Sequence, residues 1–427
     1  MSPDNLAHST LHSGAKLATA CLPDRGIMAL AVWVPFGSRH EPSAAQGVAH
    51  FLEHMVFKGT ARRSARRISL EIESVGGEIN AFTSEDHTCY HVTVPETSFR
   101  KAAAVLIDVF QNPRLAERDF AQERRVIHEE IQLYRGNPAQ HVEDLLSRAL
   151  WQEHPLGRLI TGTPESLARI SPATLSKWHQ QTHHPARAVF ACAGPWPHEK
   201  VATLLDQLIS TKKNSPPRAP RTKPVSPPTP GPPRHENILI ETRDIEQAHL
   251  SIGFRTPGRH APQRFALRLL SVLLGESMGS RLFQRLREKH GLCYAIQSDT
   301  DLFDDVGILE ISASLDPSRL QRACSLLTRE IQALLETPPD TKELNRAKEY
   351  CLGQLALWLE TTQNIMTWAG ECLLHHKRIL DPAAVRHSLH KVTPELIQAV
   401  AREIFQPENR AIAYVGPGQP PLGQWLD

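Results

Sequence analysis

The amino-acid sequence predicts an α+β protein of two duplicated domains, each a mainly antiparallel sheet with helices packed on one face. Three observations carry this expectation. The chain of 427 residues is 41% hydrophobic and 22% charged, a composition of folded protein, and domains of roughly 100–200 residues leave room for two to four of them. One proline-rich segment, Thr211–His235, splits it into nearly equal halves. The order of strand-like and helix-like stretches before that segment recurs after it.

In the first half, MALAVWVP (Met28–Pro35) is rich in β-formers and reads as a buried strand. Helical stretches follow at Ala44–Lys58 and Ala65–Val75, the second stopped by Gly76-Gly77. Strand-like runs come next at Glu78–Ser84 and Thr88–Val94, then a helix opened by Pro95–Thr97 and another from about Ala116 to Arg135. The second half repeats the order. His249–Pro257 is strand-like, Gln263–Gly275 and Arg281–Lys289 are helical, and Ala295–Thr300 and Val306–Ser314 are strand-like. Asp316–Ser318 then opens a helix, and a further helix starts near Thr341. Residue identity between the halves is low, so the duplication rests on pattern.

The dividing segment, TKKNSPPRAPRTKPVSPPTPGPPRH, holds nine prolines, six Lys or Arg and no acid. Proline at this density favours extended chain, so it reads as a semi-stiff linker whose charge serves solubility. The expected organisation is therefore a first domain over 1–210, a linker over 211–235 and a second domain over 236–427.

Lys plus Arg number 48 and Asp plus Glu 46. That balance leaves no electrostatic footprint for nucleic acid or an anionic membrane surface. No apolar run approaches ~18 residues, so no membrane-spanning helix is expected. The seven cysteines are scattered, odd in number and never spaced as CxxC, which argues against a disulfide framework or a Cys-ligated metal. The N-terminus, MSPDNLAHSTLHSGAK, lacks the basic-then-apolar order of a secretory signal. Together these point to reduced thiols and a cytoplasmic setting.

The chemistry concentrates in GVAHFLEHMVFKGT. His50 and His54 are four apart and so project from one helix face, one turn from each other. Two imidazoles so placed can both meet one metal at about 2.0–2.1 Å. Glu53 lies beside that face, where a carboxylate reaches a metal-bound water without being a ligand. A solvated polar stripe is the rival reading. Val48, Phe51, Leu52, Met55, Val56 and Phe57 surround the trio and make the helix too apolar to be wholly exposed. A buried His/Glu cluster needs compensation, and a metal supplies it.

Catalytic zinc takes three protein ligands and keeps one open position. The helix containing ERRVIHEE offers the third. Glu123 and Glu130, seven apart, share a face, while Glu129 points roughly 100° away from Glu130. Spacing alone does not choose among the three.

The stretch VWVPFGSRHEPSAAQGVAHFLEHMVFKGT resembles the pitrilysin/insulinase family of zinc metallopeptidases, with their inverted H-x-x-E-H order. It is most similar to the short, mitochondrial-processing-peptidase-like bacterial branch, and the likeness extends through HPLGRLITGTPESL. The resemblance implies one Zn2+ per chain, held by His50, His54 and Glu130, which lies 76 positions after His54. Glu123 is then the carboxylate supporting a ligand from behind, and Glu53 the general base. GGEINAFTSEDHTCYHVTV is similar to the family's edge strand, so Asn80, Ala81 and Thr83 are expected to hold an extended peptide substrate by β-augmentation. GSRLFQRLREKHGLCYAIQS matches the family's R-x6-Y element, which gives Arg287 and Tyr294 the role of steadying the substrate oxyanion.

Aligning the halves puts Ala266, Leu269 and Leu270 where His50, Glu53 and His54 stand, and Gln354 opposite Glu130, so the second domain carries no metal site of this kind. The function implied is a zinc metalloendopeptidase that hydrolyses peptides or unfolded protein segments in an enclosed chamber. Long relatives carry four such repeats, so a chain of two implies a homodimer, with Arg287 and Tyr294 serving the partner's zinc. The alternatives are a non-catalytic structural subunit and the active subunit of a heterodimeric processing peptidase.

Overall fold

The computed structural model describes residues 5–210 and 237–425. The proline-rich linker expected at 211–235 lies outside the described residues. The chain divides into two units, one of Met1–Ile131, Arg158–Thr222 and Ala356–Pro382, the other of Gln132–Gly157, Lys223–Leu355 and Ala383–Asp427.

The first unit is built on six strands: β1 (Leu6–Thr10), β2 (Lys16–Cys21), β3 (Ile27–Val34), β4 (Glu78–Thr83), β5 (Thr88–Pro95) and β6 (Val189–Gly194). Their order is β1-β2-β6-β3-β5-β4, with β2 and β6 parallel and every other pair antiparallel. The second unit has β7 (Ile238–Thr242), β8 (Ala248–Pro257), β9 (Cys293–Leu302), β10 (Val306–Leu315) and β11 (Arg410–Gly416). The order here is β7-β11-β8-β10-β9, again with one parallel pair, β7 and β11. Without β1 the two sheets have the same topology, strand for strand. The α+β class and the mainly antiparallel sheets expected from the sequence are both present.

Strand β3 shows why the sheet is covered twice. Its alternation sends Met28, Leu30, Val32 and Val34 into one core and Ala29, Ala31 and Trp33 into another. The first core is closed by helices α1 (Val48–Val56) and α3 (Phe99–Gln111), with α2 (Ala65–Glu73) beside them. The opposite face is lined by Ala18, Ala20, Ala29, Ala31, Ala191 and Ala193, and receives Ile365, Met366, Ala369 and Leu373 of the helix Thr362–His376. Small residues on the sheet let that helix approach closely. At Gly370 an added Cβ would lie 2.2 Å from the Trp33 ring.

The covering helix of this second face comes from the other half of the chain, and the exchange is reciprocal. Helix α4 (Glu117–Gly136) is followed by α5 (Pro138–Trp151). In the second unit, α5 lays Val142, Leu145, Leu146 and Ala149 on Ile308, Ala411, Ala413 and Val415. So each sheet has the helices expected on one face and, in addition, one exchanged helix on the other. Ala266, Leu269 and Leu270 lie in the second unit's core, as apolar replacements of the histidines and glutamate require. No described helix is long and apolar enough to cross a membrane, and no disulfide joins any of the seven cysteines.

Candidate metal centre

Helix α1 starts at Gly47, whose φ of 89° is left-handed and whose added Cβ would meet the Thr161 carbonyl oxygen at 2.8 Å. Only glycine fits both demands. One side of the helix buries Phe51, Leu52, Met55 and Val56. Phe51 stacks on Phe120 of α4 with ring centroids 4.6 Å apart, which fixes α1 against the helix that carries the candidate carboxylates.

On the other side, His50 and His54 stand edge to face, their ring centroids 4.7 Å apart. Glu130 completes the group. Its Oε2 lies 3.6 Å from His50 Nε2 and 3.5 Å from His54 Nε2. These separations are long for hydrogen bonds. They match the edge of a tetrahedron with bonds of about 2.1 Å, which is about 3.4 Å. His50, His54 and Glu130 each offer a ligand atom, all within 4.8 Å of one another. Two imidazoles and one carboxylate are a donor set suited to zinc, so the residues present fit the ion.

The protonation state of His50 supports that fit. Burial, helped by the neighbouring His54, lowers the His50 pKa to about 4 against the pull of Glu130, so its ring is neutral and able to ligate. At His54 burial pushes the pKa down, but Glu130, Glu53 and Glu123 outweigh it and raise it. His54 Nδ1 lies 3.3 Å from Glu123 Oε2. That contact holds a proton on Nδ1 and leaves Nε2 facing Glu130. The other Glu123 oxygen accepts from Lys58 Nζ at 2.7 Å. Lys58 was not singled out by sequence reasoning. The one available signal was its place in FKGT, four residues after His54.

The three glutamates left open by spacing are separated by rotation about α4. Glu123 is buried and Glu130 partly so, while Glu129 is exposed. Glu53 is one turn from His50 and is held by Thr83, whose Oγ1 donates to Oε2 at 2.6 Å. Burial raises the Glu53 pKa, and the Thr83 hydrogen bond and His54 oppose the rise.

Thr83 ends β4, an edge strand whose outer side no described strand covers. The structure thus brings Thr83 to the Glu53 carboxylate. Ala81 packs partly into the core, and Asn80 Oδ1 accepts from the Ala81 N–H at 2.8 Å. Arg287 and Tyr294 belong to the second unit. Arg287 sits in a π-helical turn, Phe283–Lys289, with its guanidinium 6.0 Å from the centre of the Tyr294 ring. Tyr294 is on the edge strand β9 and is 73% exposed, unusual for an aromatic side chain of its size.

Comparison with known proteins places these features in a family. Residues 17–164 match the pattern of the insulinase (peptidase family M16) domain, and residues 169–351 that of the peptidase M16 inactive domain. An uncharacterized zinc protease of Mycobacterium leprae is 33% identical over 417 residues, covering 96% of this chain and 92% of its own. Another, of Bacillus subtilis, is 33% identical over 410 residues, covering 96% and 97%. Among solved structures, a protease from Helicobacter pylori has a TM-score of 0.88 at 22% identity, over 96% of this chain and 99% of that one. A peptidase M16 inactive domain from Pseudomonas fluorescens has a TM-score of 0.88 at 19% identity, over 97% and 99%. At such identities the likeness is one of fold.

Proposed function

Because the chain belongs to the insulinase family of peptidases, family M16, we propose that it is a zinc-dependent metalloendopeptidase acting on extended peptides or unfolded protein segments. The observation that carries this reading is the convergence of His50, His54 and Glu130 at ligand spacing, with Glu53 beside them.

His50, His54 and Glu130 would hold the ion. When bound, zinc supplies Lewis acidity, which polarises the scissile carbonyl and acidifies water. Glu53 takes the proton from the attacking water and returns it to the leaving amine, so the C–N bond breaks to give a carboxylate and an amine. Its raised pKa suits this exchange, because it makes the carboxylate a stronger proton acceptor. Thr83 fixes one carboxylate oxygen and leaves the other for the proton. The peptide adds as a strand along β4, read through its main chain. In a homodimer, Arg287 and Tyr294 of one copy are the donors for the carbonyl oxygen at the partner's zinc as it gains charge.

Peptide cleavage by zinc-loaded protein and by its Glu53→Gln variant tests the reading. The variant should keep its zinc and lose about 10²–10⁴ in rate. Wild-type rates in Glu53→Gln would remove Glu53 as the base. A zinc-loaded wild type that cleaves no unstructured peptide would favour the non-catalytic subunit instead.

A further inference from the structure

Resting on the metal-site reading above, we propose that Glu41 is a positioning residue for His50, its carboxylate clamping the first turn of α1 from outside the helix. The two histidines are supported unequally. His54 has Glu123 behind it, and Glu123 has Lys58. His50 Nδ1 is buried and has no hydrogen-bond partner among the described residues. With no described side chain bonded to Nδ1, the placement of the ring depends more on the packing and backbone of the turn that bears it.

That backbone is held in an unusual way. The first N–H groups of a helix lack intrahelical partners, and a side chain at the N-cap usually takes one of them. Ser64, Thr163 and Ser171 do this for other helices of the same unit. Helix α1 starts on Gly47, which has no side chain to offer. Glu41 takes over. One carboxylate oxygen accepts the Gly47 N–H at 2.7 Å and the other accepts the Ala49 N–H, also at 2.7 Å. Ala49 immediately precedes His50. Glu41 is only 3% exposed, and a negative charge at a helix N-terminus is favourably placed. Burial pushes its carboxyl up to about 8, opposed by the Ala49 and Gly47 N–H groups and Arg158. Both oxygens accept N–H groups at 2.7 Å, a geometry that favours the ionised form and opposes the rise that burial causes.

The clamp is itself braced. Arg158 donates to the Glu41 carbonyl oxygen and to Ser43 Oγ, each at 2.9 Å. Gly47 presses on the backbone of Thr161 and Gly162, the ITGT of the HPLGRLITGTPESL stretch. That conjunction gives a purpose to a motif the chemistry of the site does not otherwise use. A nine-residue helix carrying two ligands and a base has little cooperativity of its own to keep its first turn formed.

Zinc affinity of the folded protein, measured by competition with a chromophoric chelator, separates positioning from ordinary stabilisation. In Glu41→Gln one amide oxygen cannot serve both N–H groups, and affinity should fall about tenfold or more, as when other supporting partners are removed. Thr393→Ala removes the cap of the helix Pro394–Ile404 in the second unit, where it accepts the Leu396 N–H, and should leave affinity within about twofold. If Glu41→Gln does not fold, Glu41→Asp, charged but shorter, takes its place and should also bind zinc more weakly. A folded Glu41 variant that binds zinc as tightly as wild type overturns the proposal. Wild type that binds no zinc overturns the metal-site reading itself.

Discussion

Glu123→Gln is the sharpest single perturbation of the metal centre, because it changes charge and leaves shape alone. Glu123 serves two donors at once: Oε2 faces His54 Nδ1 at 3.3 Å and Oε1 accepts from Lys58 Nζ at 2.7 Å. An amide has one oxygen. In the variant either His54 loses its acceptor or Lys58 faces an NH2 group. Where the oxygen stays on His54, a charge-assisted bond worth about 1.5–3 kcal/mol becomes a neutral one worth about 0.5–1.5 kcal/mol. The loss of about 1–1.5 kcal/mol corresponds to about tenfold in zinc affinity, at about 1.4 kcal/mol per tenfold. Lys58→Met should weaken binding less, because Lys58 is about one-third exposed and its attraction is screened. Both changes act through one carboxylate, so the double variant should fall short of the sum. Chelator competition on all four proteins, with thermal melts to confirm folding, gives the cycle. An unchanged affinity in Glu123→Gln, or strict additivity with Lys58→Met, would refute the relay from Lys58 through Glu123 to His54.

Three further outcomes follow from other parts of the structure. Thr83→Val removes the hydrogen bond that holds the Glu53 pKa down against burial. The base must be ionised to act, so activity is lost as pH falls through its pKa. The acid limb of kcat/KM should therefore move to higher pH, and an unmoved limb would contradict the contact. Tyr294→Phe should lower kcat by about 10², the usual size for one oxyanion donor, with zinc content unchanged; wild-type kcat would dismiss the assignment. Gly370→Ala places a Cβ 2.2 Å from the Trp33 ring. It should cost about 1–3 kcal/mol and lower the unfolding temperature without altering zinc affinity. An unchanged melt would mean that the helix shifts freely on the alanine face.

Local patterns in the sequence were legible wherever the physics is local. The i, i+4 spacing of His50 and His54 sets two imidazoles on one face in any helix. The continuous apolar run MALAVWV, rich in β-formers, marks a buried strand, and β3 is one, buried on both sides. The choice of Glu130 over Glu129 was not legible from spacing, because it depends on how α4 is rotated against α1, and that is set by contacts such as Phe51 on Phe120. The Lys58–Glu123 pair joins segments 65 residues apart and leaves no periodic trace. The exchange of α5 and the helix Thr362–His376 was hidden for a related reason. An amphipathic helix states that one face is buried but not which sheet buries it. Thr83 was expected to hold substrate; that its hydroxyl also rests on Glu53 was not legible, because the contact is created by the register of β4 beside α1.

The convergence of two imidazoles and a carboxylate on one ion is open to direct observation by zinc-edge X-ray absorption of the loaded protein. The expected first coordination shell holds two imidazole nitrogens at about 2.0–2.1 Å and carboxylate oxygen at about 2.0–2.2 Å. In Glu130→Gln that oxygen contribution should change and the two nitrogens remain. Sulfur at about 2.3 Å, or a shell indifferent to Glu130→Gln, would contradict the assignment.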